Sequence, residues 1–263
     1  MRSSLEHLLI NVVGPVATLT LNRPEQRNAL SLKMYNQIPE LLAQLNADTT
    51  IAALIVRGAD MRAFSAGADI AEFTAVRAGT DGARRYNAAV AEAERAITGF
   101  PAPTIAMVHG FCIGGGCGLA LSCDVRLADT AAVFGITPAR LGFAYSLEST
   151  KRVIDLAGPA EASYLLFSGR HVTAERALRV GLINEVHSPD ALERATYELA
   201  VEISERAPMS LRATKEIIGL VRAGQVQDDD HTTALRNDLF SSNDYHEGVR
   251  AFLGKRPPRF TGH

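Results

Sequence analysis

The segment most informative about the fold is His109-Gly110-Phe111-Cys112-Ile113-Gly114-Gly115-Gly116-Cys117-Gly118, which follows an apolar run at Thr104–Val108. The apolar run predicts a short buried strand, and the residues from Leu119 onward predict a helix. Glycines at a helix start leave backbone N–H groups free, and the helix dipole adds positive potential there. Such N–H groups hold a phosphate or stabilise a developing oxyanion. The same glycines also permit close helix–strand packing, and spacing alone does not separate these interpretations.

A second segment with small side chains is Ala63-Phe64-Ser65-Ala66-Gly67-Ala68-Asp69-Ile70, shortly after a strand predicted at Ala52–Val56. A dinucleotide-binding site would need G-x-G-x-x-G after a strand, and the glycines of neither segment have that spacing. A hydrolase elbow would need glycine where Ala63 stands, which disfavours Ser65 as a nucleophile.

Outward from these segments, strands and helices alternate up to about Val186, and this alternation predicts α/β architecture with stacked βαβ units. Leu8–Val13 and Val16–Leu21 predict a hairpin, and Cys123–Leu127 predicts a further short strand. Ser31 predicts the N-cap of a helix in which Pro39 would cause a kink or a break. The tail predicts only helices, at Ala191–Arg206, Met209–Val221, Asp230–Phe240 and Tyr245–Leu253. We therefore predict a core over residues 1–190 and a helical region over 191–263.

The composition excludes several classes of protein. Of 263 residues, 47% are hydrophobic and 21% are charged, which disfavours a disordered, collagen-like or coiled-coil chain. The net charge of −2 offers no basic excess for nucleic acid. No apolar run approaches the roughly 20 residues that span a bilayer. The N-terminus predicts a first strand instead of a signal peptide, and three clustered cysteines disfavour a disulfide framework. We therefore expect a cytoplasmic protein without a nucleic-acid or membrane partner.

Several segments together resemble the enoyl-CoA hydratase/isomerase (crotonase) superfamily, in order over nearly the whole chain. They are Asn22–Leu30, Phe64–Ile70, Pro103–Asp124, Ala177–Val186 and Tyr245–Phe260. The resemblance implies a spiral of ββα units with a helical C-terminal region that takes part in trimerisation. It also implies a homotrimer or hexamer, an acyl-CoA thioester substrate and a place in fatty acid metabolism. CoA would enter as part of the substrate, and the sequence gives no reason to expect a metal or a tightly bound cofactor.

The resemblance also implies site residues. The backbone amides of Ala68 and Gly115 match the donors that stabilise an enolate anion at the thioester oxygen. Contacts to CoA would come from Arg27, Ala29, Ala66, Asp69 and Ile70, with Phe252 and Lys255 reaching over from a neighbouring subunit.

Two positions depart from the hydratases of this superfamily, which use two glutamates as general acid and base. Gly118 stands at the first position and Pro138 at the second. An acid–base group contributes about 10²–10⁴ in rate. We therefore expect binding and enolate stabilisation to be retained, and efficient hydration through that pair to be lost.

The stretch Leu141–Glu148 is similar to methylmalonyl-CoA decarboxylases of the superfamily, whose active site holds a tyrosine matching Tyr145. Loss of CO₂ generates the enolate without a base, so decarboxylation or related lyase chemistry is the preferred prediction. Those decarboxylases carry a histidine where Ala68 stands, which leaves the substrate open. The alternatives are hydration or isomerisation through Glu148 and Tyr145, and a non-catalytic acyl-CoA-binding or scaffolding subunit. The structural alternatives are Glu148 as a surface helix residue or in a salt bridge to Lys151 or Arg152, and Tyr145 as a packed aromatic.

Overall fold

The computed structural model describes residues 2–263, with side chains described from Glu6 onward. The strands are β1 (Arg2–Leu5), β2 (Leu8–Val13), β3 (Val16–Leu21), β4 (Ala53–Gly58), β5 (Ala63–Ser65), β6 (Thr104–Val108), β7 (Phe111–Ile113), β8 (Val125–Asp129), β9 (Val133–Gly135), β10 (His171–Thr173) and β11 (Glu185–His187). The helices are α1 (Leu32–Asn46), α2 (Phe73–Val76), α3 (Gly79–Thr98), α4 (Gly115–Ser122), α5 (Leu147–Ser168, interrupted at Gly158), α6 (Ala174–Arg179), α7 (Pro189–Ser204), α8 (Pro208–Arg222), α9 (Asp230–Phe240) and α10 (Asn243–Leu253).

The strands form two sheets that the chain visits in turn. The larger sheet has the order β1-β2-β3-β4-β6-β8-β11, and it is parallel from β3 onward. The smaller sheet has the order β10-β9-β7-β5. Strands β4, β6 and β8 belong to the larger sheet, and each is followed by a strand of the smaller sheet and then a helix. Each ββα turn therefore adds one strand to both sheets, which confirms the predicted α/β architecture. The repeating unit is ββα, as the resemblance implied, and not the βαβ unit that the alternation predicted.

The larger sheet is covered on both faces, which explains why its strands are apolar along their whole length. One face packs into a core that includes Tyr35, Phe64 and Ile97. The other face packs on α7 through residues such as Ile55 and Leu192. Helix α7, which follows the last strand β11, thus lies on the larger sheet. That the chain divides at residue 190 into a core and a helical region stays a prediction.

The predicted elements agree with the structure where they are long. The hairpin of β2 and β3 has the predicted bounds. The Ser31 hydroxyl caps α1 by accepting a hydrogen bond from Met34 N at 3.2 Å. The prediction of a break at Pro39 is wrong, because α1 runs continuously from Leu32 to Asn46. Buried residues on both sides of the proline, Ile38 and Leu41 among them, hold the two halves on one core.

The predicted strand at Cys123–Leu127 lies two residues further on, as β8. The Asp124 carboxylate accepts a hydrogen bond from Thr104 N at 2.8 Å. Asp124 therefore lies in the loop before β8, which begins at Val125. After His187 the described residues form helices and connecting loops but no strand. None of the helices in residues 2–263 combines the length and the apolar character needed to cross a bilayer.

Candidate functional site

The two small-residue segments meet at one end of the smaller sheet. Strands β5 and β7 run parallel, so the loops that follow them leave on the same side. Gly67 (φ +99°) and Gly114 (φ +52°) turn the two chains with backbone angles that other residues rarely adopt. The loops come so close that a Cβ added to Gly115 would lie 3.7 Å from the amide nitrogen of Ala68. The two predicted donors are therefore neighbours in space.

Both amides are free to donate. Gly115 is the first residue of α4, where the N–H has no partner within the helix. Around Ala68 the parallel bridge to Leu30 uses the Gly67 carbonyl and the Asp69 amide, and leaves the Ala68 N–H unused. Neither N–H donates a backbone hydrogen bond within the described residues.

The amides open onto a cavity of about 390 Å³, which we call the central cavity. Its wall includes Ala68, Gly115, Tyr35, Glu94, Pro138 and Tyr145. A larger and more open depression of about 740 Å³ lies near the C-terminus, between Asn243 and His263. Arg256 in its lining pairs with Glu247, and neither predicted amide lines the depression. The central cavity is therefore the candidate site.

A carboxylate that the sequence did not indicate lies in the wall of the central cavity. Glu94 on α3 is only 3% exposed. Its Oε1 occupies the space that a Cβ at Gly118 would need. Its Oε2 accepts hydrogen bonds from Ser149 Oγ at 2.8 Å and from Arg152 Nη1 at 2.9 Å. Residue 118 itself carries no carboxylate, but the Glu94 carboxylate from α3 occupies the space beside it.

One signal in the sequence could have revealed Glu94. The buried face of α3 carries Tyr86, Ala93 and Ile97, and Glu94 falls on the same face at helical spacing. A carboxylate on a buried helix face is rarely left without a partner or a role. Which residue it meets depends on the packing of α3 against α4, which spacing along the chain does not reveal.

Pro138 and Tyr145 also lie in the cavity wall. Pro138 lines the cavity, so the structure places a prolyl ring there. The Tyr145 hydroxyl donates a hydrogen bond to the Gly114 carbonyl, next to the predicted donor Gly115. Burial raises the pKa of Tyr145 well above its ordinary value, so the hydroxyl stays protonated at neutral pH. Tyr145 is thus placed as a hydrogen-bond donor.

Glu148 is not brought to the cavity. Its side chain is 53% exposed and pairs with Arg95 at 3.2 Å, and it is not among the residues that line the cavity. Glu148 therefore forms a surface salt bridge, but the predicted partners are wrong, because Lys151 pairs with Asp155 and Arg152 pairs with Glu94.

The residues predicted to contact CoA divide into two groups. Ala66 and Ile70 line the cavity, and the Arg27 carbonyl accepts a hydrogen bond from Ala66 N at 2.9 Å. Asp69 pairs with Arg23 at 2.9 Å, and Arg23 also donates to the Ala29 carbonyl at 2.9 Å. This network ties residues 27–30 to the loop that presents the Ala68 amide.

Phe252 and Lys255 belong to the second group. Phe252 is 84% exposed at the end of α10, and Lys255 follows the helix. Neither lines the central cavity of its own chain. A role for them in CoA binding requires the neighbouring subunit, as the resemblance implied.

Two further cavity groups were not predicted. The buried hydroxyl of Tyr35 has no hydrogen-bond partner among the described residues, and it blocks the space beside Gly115. The Arg77 guanidinium lies 4.5–4.7 Å from the ring centroids of Phe73, Tyr86 and Phe143. Its hydrogen bond goes to the neutral amide of Asn87, at 2.7 Å. Among the described residues no carboxylate pairs with Arg77.

Comparison with known proteins agrees with this geometry. The family described as enoyl-CoA hydratase/isomerase matches residues 12–263. A short-chain-enoyl-CoA hydratase of Clostridium acetobutylicum is 32% identical over 256 residues, covering 96% of this chain and 96% of the relative. The methylmalonyl-CoA decarboxylase of Escherichia coli is 31% identical over 263 residues, covering 99% and 100%.

The structural comparison covers the same length. A solved structure of an enoyl-CoA hydratase/isomerase family protein from Hyphomonas neptunium superimposes with a TM-score of 0.95 at 37% identity. The match covers 98% of both chains. The predicted crotonase-like fold is therefore confirmed, together with its helical C-terminal region.

Proposed function

This chain belongs to the enoyl-CoA hydratase/isomerase family, whose members act on CoA thioesters, and from that premise we propose the chemistry of the central cavity. The acyl thioester binds there with its oxygen between the N–H groups of Ala68 and Gly115. The observation that carries the proposal is the pair of adjacent, unused amides.

The two amides suit an enolate better than a neutral thioester. When the bonds at C2 of the acyl group are made or broken, negative charge develops on the thioester oxygen. Preorganised N–H donors stabilise such charge, and removal of one donor from a comparable site costs about 10²–10³ in rate. The N-terminus of α4 adds positive potential at Gly115.

The preferred reaction from sequence, decarboxylation, has one structural observation in its favour. Arg77 lies in the cavity wall without a carboxylate partner among the described residues, so it is available for a carboxylate on the acyl group. The bond between C2 and the carboxylate carbon breaks, CO₂ leaves and the electron pair forms the enolate. A proton from water or the Tyr145 hydroxyl then completes C2, and a tyrosinate regains its proton from solvent.

Hydration or isomerisation is the second candidate, and a different observation favours it. Both reactions need a group that takes and returns a proton. Glu94 supplies a carboxylate in the cavity wall, beside Gly118. The hydratase names of several relatives point in the same direction.

A panel of CoA esters tests the proposal on the purified protein. Turnover is measured on crotonyl-CoA, a 3-enoyl-CoA and methylmalonyl-CoA, and the affinity for butyryl-CoA is measured by calorimetry. We expect binding and turnover of at least one ester. Tight binding without turnover across the panel would support the scaffolding subunit instead.

The C-terminal region completes this proposal. We infer a homotrimer or hexamer in which Phe252 and Lys255 contact CoA bound to a neighbouring subunit. The adjacent exposed side chains of Phe252 and Leu253 support this arrangement, since contiguous exposed apolar surface marks an interaction site. CoA is then part of the substrate, with no separate cofactor.

A further inference from the structure

We propose that Glu94 is the catalytic carboxylate of this site, which takes a proton and returns it during turnover. It comes from α3, and it replaces in space the glutamate that is absent from position 118 of α4. The inference rests on the proposed enolate chemistry and deepens it, because it selects hydration or isomerisation over decarboxylation.

The first support is steric. Gly118 lies one helical turn after the proposed donor Gly115. Its missing Cβ leaves a gap, and Glu94 Oε1 fills that gap. Any side chain at position 118 would displace the Glu94 carboxylate. The two positions therefore exclude each other, and this chain uses the one on α3.

The second support is the way the carboxylate is held. Both of its hydrogen bonds, from Ser149 and Arg152, fall on Oε2. Oε1 accepts no hydrogen bond from a described residue. One oxygen is thus anchored to α5, while the other keeps its lone pairs available beside the cavity. A purely structural ion pair gains most when both oxygens are used, as in Glu161, which accepts from Arg176 through both of its oxygens.

The third support is burial. Glu94 and Arg152 are 3% and 6% exposed. Burial of an ion pair is costly, and packed apolar residues of similar volume often give equal or greater stability. The neighbours of Glu94 on the buried face of α3 are apolar or aromatic. Retention of a buried charge there is explained by a chemical role.

The step balances with a single carboxylate. In hydration, Glu94 Oε1 takes a proton from water while the water oxygen bonds to C3 of a 2-enoyl thioester. The C2–C3 π electrons move towards the thioester and form the enolate at Ala68 and Gly115. Glu94 then returns the proton to C2, and the product is a 3-hydroxyacyl thioester. In isomerisation the same oxygen takes a proton from C2 of a 3-enoyl thioester and returns it to C4.

Glu94→Gln is the first test, because glutamine keeps the size of the side chain and cannot take the proton. Turnover of crotonyl-CoA and of a 3-enoyl-CoA is measured together with exchange of the C2 hydrogens of butyryl-CoA in D₂O. We expect kcat and the exchange rate to fall by about 10²–10⁴. The affinity for butyryl-CoA should change less than about threefold. Glu161→Gln is the matched control, since it removes a carboxylate–arginine pair outside the cavity, and it should leave turnover unchanged.

Two more variants protect the test from a folding defect. Glu94→Gln with Arg152→Gln avoids an unpaired buried guanidinium and should show the same loss of turnover. Glu94→Ala with Gly118→Glu moves the carboxylate back to α4 and should regain at least tenfold over Glu94→Ala. Wild-type turnover in a folded Glu94→Gln protein would overturn the role of Glu94 and leave the enolate proposal standing. A wild-type protein that is inactive in these assays but decarboxylates methylmalonyl-CoA would overturn the role of Glu94 alone. A wild-type protein that is inactive on every ester, exchange included, would overturn both.

Discussion

At the scale of single residues, the site depends on two glycines, because a side chain at either position would occupy space that the site needs. Gly115 and Gly118 sit one helical turn apart on α4, and each leaves room for a group from another helix. The Tyr35 hydroxyl fills the space at Gly115, and the Glu94 carboxylate fills the space at Gly118. A glycine-rich helix start therefore gathers functional groups from α1 and α3 around the free amides.

A pair of variants isolates the amide of Gly115. In a Tyr35→Phe background, which removes the blocking hydroxyl, Gly115→Ala adds a Cβ and keeps the N–H. Gly115→Pro in the same background adds a similar bulk and removes the N–H, at a first helical position where proline is tolerated. We expect kcat of the proline variant to lie about 10²–10³ below that of the alanine variant.

Equal kcat values in two folded variants would contradict the donor role of Gly115. The Tyr35→Phe background is itself checked by measuring its stability. Because the Tyr35 hydroxyl is buried without a partner among the described residues, Tyr35→Phe should leave the free energy of unfolding unchanged or raise it.

The sequence identified part of this site. Ala68, Gly115, Pro138 and Tyr145 could be placed by resemblance, and the structure brings all four to one cavity. Glu94 could not be placed in the same way. Its relation to Gly118 is a contact between two helices, and a motif read along one segment carries no information about it.

At the scale of elements, length decided which predictions succeeded. Strands of five or six residues show an apolar pattern, and β2, β3 and β6 have the predicted bounds, whereas β4 and β8 lie one to two residues further along the chain than predicted. The strands of the smaller sheet have three residues each, which is too short for an alternating pattern to be recognised. Pairing with neighbours, a tertiary effect, defines them.

The stability of the C-terminal segment that contains α10 is expected to depend on pH. Glu247 accepts hydrogen bonds from Arg256, at 2.6 and 2.9 Å, and from Arg259 N at 2.9 Å. These bonds lower the pKa of Glu247 from 4.5 to about 2. Because the folded state holds the ionised form, the stabilisation is complete above pH 4.5 and is lost as the pH falls to about 2.

Thermal unfolding of the wild type and of Glu247→Gln across this range checks the prediction. The difference in Tm between the two proteins should be constant above pH 4.5 and should shrink towards pH 2. A difference that stays the same throughout would show that ionisation of Glu247 does not stabilise the segment.

At the scale of the whole molecule, the last helix leaves large apolar side chains in water. Phe252 and Leu253 are 84% and 76% exposed, next to Lys255. Adjacent exposed residues of this kind mark an interaction surface. This surface fits the proposed contact between subunits, which would also bring Phe252 and Lys255 to bound CoA.

We expect Phe252→Asp to shift the protein from an oligomer towards the monomer, as measured by light scattering after gel filtration. The KM for the CoA ester should rise in the same variant, because the neighbouring contact to CoA is lost. Val13→Asp is the matched control, at an exposed hairpin tip, and should change neither quantity. An oligomer of unchanged mass and KM in Phe252→Asp would contradict the proposed interface.

The most direct test of the central claim is a crystal structure with butyryl-CoA, which lacks the double bond that would be hydrated. We expect the thioester oxygen to lie in the central cavity, about 2.7–3.1 Å from the amide nitrogens of both Ala68 and Gly115. A fully occupied ligand whose thioester oxygen contacts neither amide would contradict it.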